Sequence, residues 1–340
     1  MKTLLLGTLF GLNSLGKSAA KQEVHLEFSD LGSEAASFCC GSHHTCALRG
    51  GELVSGTPDF TNSGDVDGLS LCWGREYVQQ TDAPDDERFV QVSCGGTFTC
   101  GLTFDEQVRC WGGIGGGLRG RFVQVSSGID HACAVSLLGH VSCIGRNSRG
   151  ESSPPDPETT LGDGERFVQV SAGKAHSCAL SNKGAIVCWG SNEKGQCNTP
   201  ARPGERESGQ DAHEDNVIFG VAYKQVVASL GKHTCALEVK TGFARCWGQG
   251  DRSGASKAPP DVSFVSLAAG RKFTCGIRAE DGGIQCWGRI ANTPTSGGPF
   301  LQLSAGEDHA CASTASGELK CWGKGTYSKT ATPDKLIVLP

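Results

Sequence analysis

The segment FVQVSAGKAHSCALSNKGAIVCWG, residues 167 to 190, breaks into three short runs in which apolar and polar or small positions alternate. FVQVS alternates, a glycine turn follows, HSCAL alternates again, SNKG supplies turn residues and AIVCWG closes a hairpin. A period of two over five or six residues, bounded by glycine and asparagine, predicts strands joined by tight turns. The pattern recurs. FVQVSCGGTFTCGL starts at Phe89, FVQVSSGIDHACAV at Phe122, YKQVVASLGKHTCAL at Tyr223, FVSLAAGRKFTCGI at Phe264 and FLQLSAGEDHACAS at Phe300, with a degenerate first copy, SFCCGSHHTCAL, near Phe38. Helical periodicity competes over no comparable length. Units of antiparallel strands about this long cannot bury their own faces, so seven in a row predict an all-β chain closed into a seven-bladed β-propeller. The units are placed at 35–74, 89–112, 122–145, 167–197, 223–248, 264–288 and 300–323.

Cysteines punctuate the repeat. Fourteen of the 18 fall in seven pairs: Cys46/Cys72, Cys100/Cys110, Cys133/Cys143, Cys178/Cys188, Cys235/Cys246, Cys275/Cys286 and Cys311/Cys321. Cys178 and Cys188 are equidistant from Lys183 in the turn, so they should face each other across the hairpin, where Cα atoms lie roughly 4.5–5.5 Å apart. That predicts one disulfide per blade, each contributing about 2 to 3 kcal/mol by constraining the unfolded chain. Two units have a spacing of eleven rather than ten, which suits a one-residue bulge. The first unit carries a long insertion. A tryptophan follows the second cysteine in six units (Trp73, Trp111, Trp189, Trp247, Trp287, Trp322) and accounts for every tryptophan in the chain. Strand neighbours face opposite ways, so each should leave its blade opposite the disulfide and pack against the next one. Ile144 replaces it in unit three. The connector from Trp111 to Phe122 is short enough that blade two is expected to have three strands. EVHLEF (23–28) and KLIVL (335–339) remain as candidates for an outer strand beside the ring closure.

Composition narrows the compartment. No C-x-x-C spacing occurs, and disulfides persist in secreted chains. Glycine, at 49 residues, is abundant while proline is not, which fits turns rather than disorder. The N-terminus poses one question. GLNSLGKS, residues 11 to 18, satisfies the phosphate-loop spacing, but no helix follows to direct N–H groups at a phosphate. A basic start at Lys2, an apolar run and small residues before Ala20 read instead as a signal peptide over 1–20, with 21–340 forming the propeller domain. Its removal would take Lys2 and Lys17 and shift the formal net charge from −5 to −7. An acidic chain argues against nucleic-acid binding. No membrane association is expected unless the leader is retained, because no second apolar stretch is long enough to span a bilayer.

The run F-V-Q-V-S-A-G-x-x-H-S-C-A-L, continued by C-W-G-x-N-x-x-G-Q in unit four, resembles the repeat of the regulator-of-chromosome-condensation family. The resemblance covers about residues 35–323 and implies a seven-bladed propeller. That family also includes a secreted β-lactamase inhibitor protein. The paired cysteines are similar to those of crinkly-type receptor ectodomains. Fold alone does not imply function. The reading adopted is a secreted, disulfide-stapled, monomeric binding module for a protein or anionic ligand; guanine-nucleotide exchange on a small GTPase and inhibition of an extracellular enzyme are the alternatives that the resemblance implies.

Candidate sites are few. No catalytic motif or pairing appears, so no enzyme and no cofactor or metal is expected. SGDVDG (63–68) lacks the glutamate a calcium loop needs at its twelfth position. GGGLRG, with glycines at 115, 117 and 120, is taken as a tight connector between strands. His44, His131, His176, His233 and His309 stand two residues before a first cysteine, with Phe98 and Phe273 in the other units, and recurrence favours a packed structural position. Cys39, Cys40, Cys94 and Cys197 lie outside the hairpin pairs; Cys40 and Cys94 share one repeat position in adjacent blades and are the candidate interblade disulfide, leaving Cys39 with Cys197. Loops after the repeat glycine carry Lys174, Lys232, Arg271 and Lys272 in blades four to six, and Asp130, Glu307 and Asp308 in blades three and seven. They form a candidate binding face with a basic sector flanked by acidic ones.

Overall fold

A computed structural model of the chain describes residues 38–48, 68–201, 220–249, 252–325 and 330–332. Both N-terminal readings, the SGDVDG segment up to residue 67 and the two spare strand candidates lie outside the described residues. Blade one holds β1 (Phe38–Cys40), β2 (His44–Leu48) and β3 (Ser70–Gly74). Blade two holds β4 (Phe89–Cys94), β5 (Phe98–Thr103), β6 (Val108–Gly112) and β7 (Gly116–Leu118). Blade three holds β8 (Phe122–Ser127), β9 (His131–Ser136) and β10 (Val141–Gly145). A one-turn helix α1 (Pro157–Thr160), capped by the Asp156 carboxylate, precedes blade four, which holds β11 (Phe167–Ala172), β12 (His176–Ser181) and β13 (Ile186–Gly190). Blade five holds β14 (Tyr223–Ala228), β15 (His233–Glu238) and β16 (Ala244–Gly248). Blade six holds β17 (Phe264–Ala269), β18 (Phe273–Arg278) and β19 (Ile284–Gly288). Blade seven holds β20 (Phe300–Ala305), β21 (His309–Thr314) and β22 (Leu319–Gly323). All pairings are antiparallel between sequence neighbours, giving seven separate sheets among the described residues.

Each blade carries its hairpin disulfide: Cys46–Cys72, Cys100–Cys110, Cys133–Cys143, Cys178–Cys188, Cys235–Cys246, Cys275–Cys286 and Cys311–Cys321. The two cysteines are direct register partners in every case, as in Cys133 with Cys143, Cys275 with Cys286 and Cys311 with Cys321. Their Cα atoms lie 4.0 Å apart in all seven, closer than the spacing expected of unbridged strand partners, because the bridge draws the strands together. The two members of a pair are not equally enclosed. The first, on the middle strand, is fully buried in every blade, whereas Cys72, Cys143, Cys188, Cys246, Cys286 and Cys321 are only half-buried on outer strands and Cys110 alone is covered, beneath β7.

The bulge expected at the spacing of eleven is absent. Cys235 pairs with Cys246 and Leu237 with Ala244 in unbroken register, as do Cys275 with Cys286 and Ile277 with Ile284. The added residue sits in the turn, where Glu238 N–H bonds Phe243 O, against Ser181 N–H to Ala185 O in blade four. A turn accommodates an inserted residue without breaking the ladder, and so it takes it. Register shifts occur instead at the entrance to the inner strands, between Phe167 and Gln169 for example.

Interblade packing explains the rest of the motif. The inner strand of every blade is an edge, with unpaired N–H groups that must find acceptors. Glutamine and serine from the preceding blade provide them. Gln225 Oε1 accepts from Leu267 N–H at 2.8 Å while its amide donates to Leu267 O, and Gln124 bonds Val170 in the same two-way manner. The serine hydroxyls of Ser93, Ser126 and Ser171 accept from the N–H groups of Ser127, Ala172 and Ala228. Ser304 does the same for Cys40, so blade seven meets blade one and the ring closes. Phe38, Cys40 and Ala47 pack there against Cys311 and Leu319, with Cys321 beside them.

That geometry corrects the extra disulfide. Repeat position pairs Cys40 with Cys94; the structure instead bridges Cys39 with Cys94 and leaves Cys40 a buried thiol. Cys39 occupies the serine position, which reaches forward to the next blade. Cys40 and Cys94 occupy the small-residue slot, which faces back, so the two point at different neighbours. Cys197 is a free thiol rather than the partner of Cys39.

Two further expectations change. The tryptophans do leave on the face opposite their own disulfide, but that face meets the preceding blade: Trp111 packs on Cys46, Leu48 and Cys72, and Trp322 on Cys275, Ile277 and Cys286. Blade two has four strands, not three, because Gly116 to Leu118 pairs with Cys110 to Val108 and turns the GGGLRG connector into an edge strand. Ile114 and Leu118 from this region pack with Ile144 at the junction where the tryptophan is missing.

Candidate binding face

The loops joining inner and middle strands are short, and their backbones interlock. Ser42 N–H bonds Gly95 O, Gly96 bonds Ile129 O, Ile129 bonds Gly173 O, Lys174 bonds Ser229 O, Arg271 bonds Glu307 O and Glu307 bonds Gly41 O. Between blades five and six the approach is as close: a Cβ on Gly231 would lie 2.2 Å from Arg271 O. These contacts gather the loops of all seven blades at one end of the propeller. They also account for the repeat glycine: a Cβ on Gly128 would lie 2.0 Å from Gly173 O, and one on Gly306 2.2 Å from Gly41 O. The glycine of each C-W-G triplet turns the outer strand out of the same end at positive φ, from 90° at Gly112 and Gly248 to 118° at Gly74.

All seven sequence-nominated residues lie at this end. Lys174, Arg271, Lys272 and Asp130 are exposed, and Lys232, Glu307 and Asp308 are half-buried. The structure brings four of them together: Arg271, Lys272, Glu307 and Asp308 line a depression of about 500 Å³ between blades six and seven. Lys174, Lys232 and Asp130 stand on separate blades. Acidic flanks are partly compensated, since Arg271 pairs with Glu307 at 3.0 Å and Asp130 with Arg146 at 3.3 Å. Exposed pairs of this kind contribute about 0 to 1 kcal/mol each.

Sequence reasoning missed the residues after the exit glycines. Arg75, Arg146, Arg289 and Lys324 each place a backbone N–H on a loop carbonyl, of His43, Asp130, Lys272 and Asp308 respectively, and thereby join the face. Loop and exit positions together carry eight basic and three acidic side chains, on a chain whose formal net charge is −5. The signal was present as the residue following C-W-G or C-I-G; only the fold shows that it returns to the first loop. Blade one adds an aromatic element: the Arg75 guanidinium lies 4.0 Å over the ring of Tyr77, which meets His43 edge-on, and Tyr77 and Val78 are among the exposed large apolar side chains.

The recurrent histidines are structural. His44, His131, His176 and His233 place Nε2 at 2.7, 2.8, 3.0 and 2.9 Å from the hydroxyls of Thr99, Ser177, Thr234 and Thr274 in the following blade, and His309 reaches Thr45 at 3.0 Å across the ring closure. The first four hydroxyls donate their hydrogen to the carbonyls of Gln80, Glu151, Gln196 and Ala255, which also accept from the indoles of Trp111, Trp189, Trp247 and Trp287. A hydroxyl has one hydrogen to give, so each of these four imidazoles donates from Nε2. Their Nδ1 atoms are buried with no acceptor among the described residues, so the second proton has nowhere to go and the rings are neutral. Burial pushes His44 and His176 down to about 3 and His131 and His233 to about 4. The cysteine cluster Cys39, Cys46 and Cys94 is committed to two disulfides rather than open to a metal. Burial raises the Cys197 thiol to about 11, and its Sγ lies 3.3 Å from Ser191 O.

Known proteins share both repeat and ring. The regulator of chromosome condensation (RCC1) repeat matches residues 89–113, 122–151, 167–196 and 300–328, blades two, three, four and seven. Those are the blades whose cysteines are ten apart. The CRINKLY WD40 ectodomain of the Arabidopsis thaliana receptor kinase ACR4 is 22% identical, with a TM-score of 0.64 over 86% of this chain and 96% of its own. The ectodomain of the Physcomitrella patens receptor kinase CR4 is 23% identical, with a TM-score of 0.63 over 84% of this chain and 73% of its own. Human WBSCR16 is 17% identical, with a TM-score of 0.58 over 83% and 87%. The chain is a disulfide-stapled, seven-bladed propeller that carries regulator of chromosome condensation repeats.

Proposed function

We propose that this protein is a binding module of an oxidising, extracellular compartment, and that its interlocked loop end docks an acidic protein surface. One observation carries the reading: at the loop and exit positions of one end, eight basic side chains stand against three acidic ones, on a chain that is acidic overall. The opposite end, built from the middle-to-outer hairpin turns, carries Asp105, Glu106, Glu280, Asp281 and Glu318 against Lys183 and Lys240 among the described residues. Such polarity along the axis orients an anionic partner before contact and speeds its association. Tyr77 and Arg75 are the residue types that anchor protein interfaces. Compartment rests on the eight disulfides and on the fold shared with two receptor-kinase ectodomains. Helices long and apolar enough to cross a membrane are absent among the described residues.

The test is capture from extracellular fluid with immobilised wild type beside Lys174→Glu/Lys232→Glu and Tyr77→Ala variants. Retention of a defined protein by the wild type, with release as salt is raised and loss in the charge-reversed variant, is the expected outcome. Equal retention by all three proteins would overturn the loop end as the docking surface.

A further inference from the structure

We infer that the depression between blades six and seven is a binding site for a tetrahedral oxyanion ester, a phosphate or sulfate monoester. The inference deepens the basic-face reading and rests on it. Four chain segments build the depression, and three backbone hydrogen bonds lace them together: Arg271 N–H to Glu307 O at 3.0 Å, Arg289 N–H to Lys272 O at 2.8 Å and Lys324 N–H to Asp308 O at 2.9 Å. Its walls are therefore fixed before any ligand arrives, which lowers the ordering cost of binding.

Charge sets the ligand class. The lining holds Arg271, Lys272, Arg289 and Lys324 against Glu307 and Asp308, a surplus of two positive charges. Arg271 is already paired with Glu307. Lys272, Arg289 and Lys324, all exposed, supply the donors for an incoming group. Arg289 is further oriented by an Nη2–H bond to Arg252 O at 3.3 Å. A phosphate monoester carries roughly −1.5 to −2 at neutral pH and three acceptor oxygens, so it matches the surplus of two in charge and the three lining cations in number. Volume sets the rest. About 500 Å³ exceeds what an inorganic ion fills, and Ile290 and Ala291 offer an apolar wall for the organic part.

Calorimetric titration with phenyl phosphate and phenyl sulfate tests the assignment on the wild type, Arg289→Glu, Lys324→Glu and, as a charge-matched control on the same face, Lys174→Glu. Saturable binding is expected, weakened about tenfold or more by each blade-six or blade-seven reversal and nearly unchanged in the control. The two probes separate the sources: phosphate binding should strengthen as pH rises through about 6, where its second proton leaves, and sulfate binding should not. Circular dichroism confirms that each variant folds, and Lys324→Met repeats the measurement without adding an acid. Absence of saturable binding for both probes, or equal weakening by Lys174→Glu, overturns the site. Either result leaves protein capture through Lys174 and Lys232 standing or falling on its own test.

Discussion

His176 and Thr234 meet across an interface at 3.0 Å, and the same contact recurs at five of the seven junctions. The two exceptions are paired substitutions. Phe98 and Phe273 replace the histidine at the junctions where Ala132 and Ala310 replace the hydroxyl of the following blade. A buried hydroxyl without its donor would cost about 1–3 kcal/mol, so both partners change together. The coupling was written in the sequence, yet it becomes visible only when blade order shows which position faces which. A pH dependence follows. The unfolded imidazoles titrate near 6.5 and the folded ones near 3 to 4, so between those values the unfolded chain binds more protons and stability falls as pH falls. Each such histidine contributes a slope of about 1.4 kcal/mol per pH unit across that window. Urea unfolding at pH 7 and pH 5 should show the loss. His176→Phe combined with Thr234→Ala, which copies the blade-two and blade-six solution, should reduce the slope; an unchanged slope would exclude His176 as a contributor.

At the scale of elements, the F-V-Q-V-S run does two jobs. Its apolar residues fill the junctions, with Phe167 and Val170 buried beside Cys133, Val135 and Cys143 of blade three. Its glutamine and serine satisfy the exposed edge of the next inner strand. Alternation alone predicted the strands and said nothing of this second role, since the polar positions read equally well as solvent-facing. Gln225→Ala should strand the N–H of Leu267, a residue only 2% exposed, and cost about 1–3 kcal/mol in denaturant unfolding. Replacing Cys178 and Cys188 together by alanine should cost about 2–3 kcal/mol, because the loop they close is short and both sites are packed against blade five. The fourth strand of blade two escaped the sequence pattern because three residues with two glycines carry almost no alternation.

For the described residues taken together, blade one meets blade seven through packing and hydrogen bonds of Cys40, Ser304, Thr45 and His309, and each described sheet is built from consecutive strands. Among the described residues, only the junction between blades one and two is bridged by a disulfide. Non-reducing peptide mapping should find a Cys39–Cys94 crosslink, with Cys40 and Cys197 alkylated after unfolding. A Cys40–Cys94 crosslink would contradict the forward-facing role of the serine position. Charge polarity belongs to this scale too, because the basic end is assembled from both the first loop and the outer-strand exit of successive blades.

The sequence by itself determined the seven repeats, the antiparallel hairpins, the disulfide in each blade and the nomination of the loop charges. All of these are local: a period of two, a turn and a fixed spacing act within one unit. Tertiary structure alone decided which way each repeat position faces, and with it the pairing of Cys39 rather than Cys40, the backward packing of the tryptophans and the union of Arg289 and Lys324 with Arg271 and Lys272. Those depend on the order and offset of neighbouring blades, which no single repeat encodes.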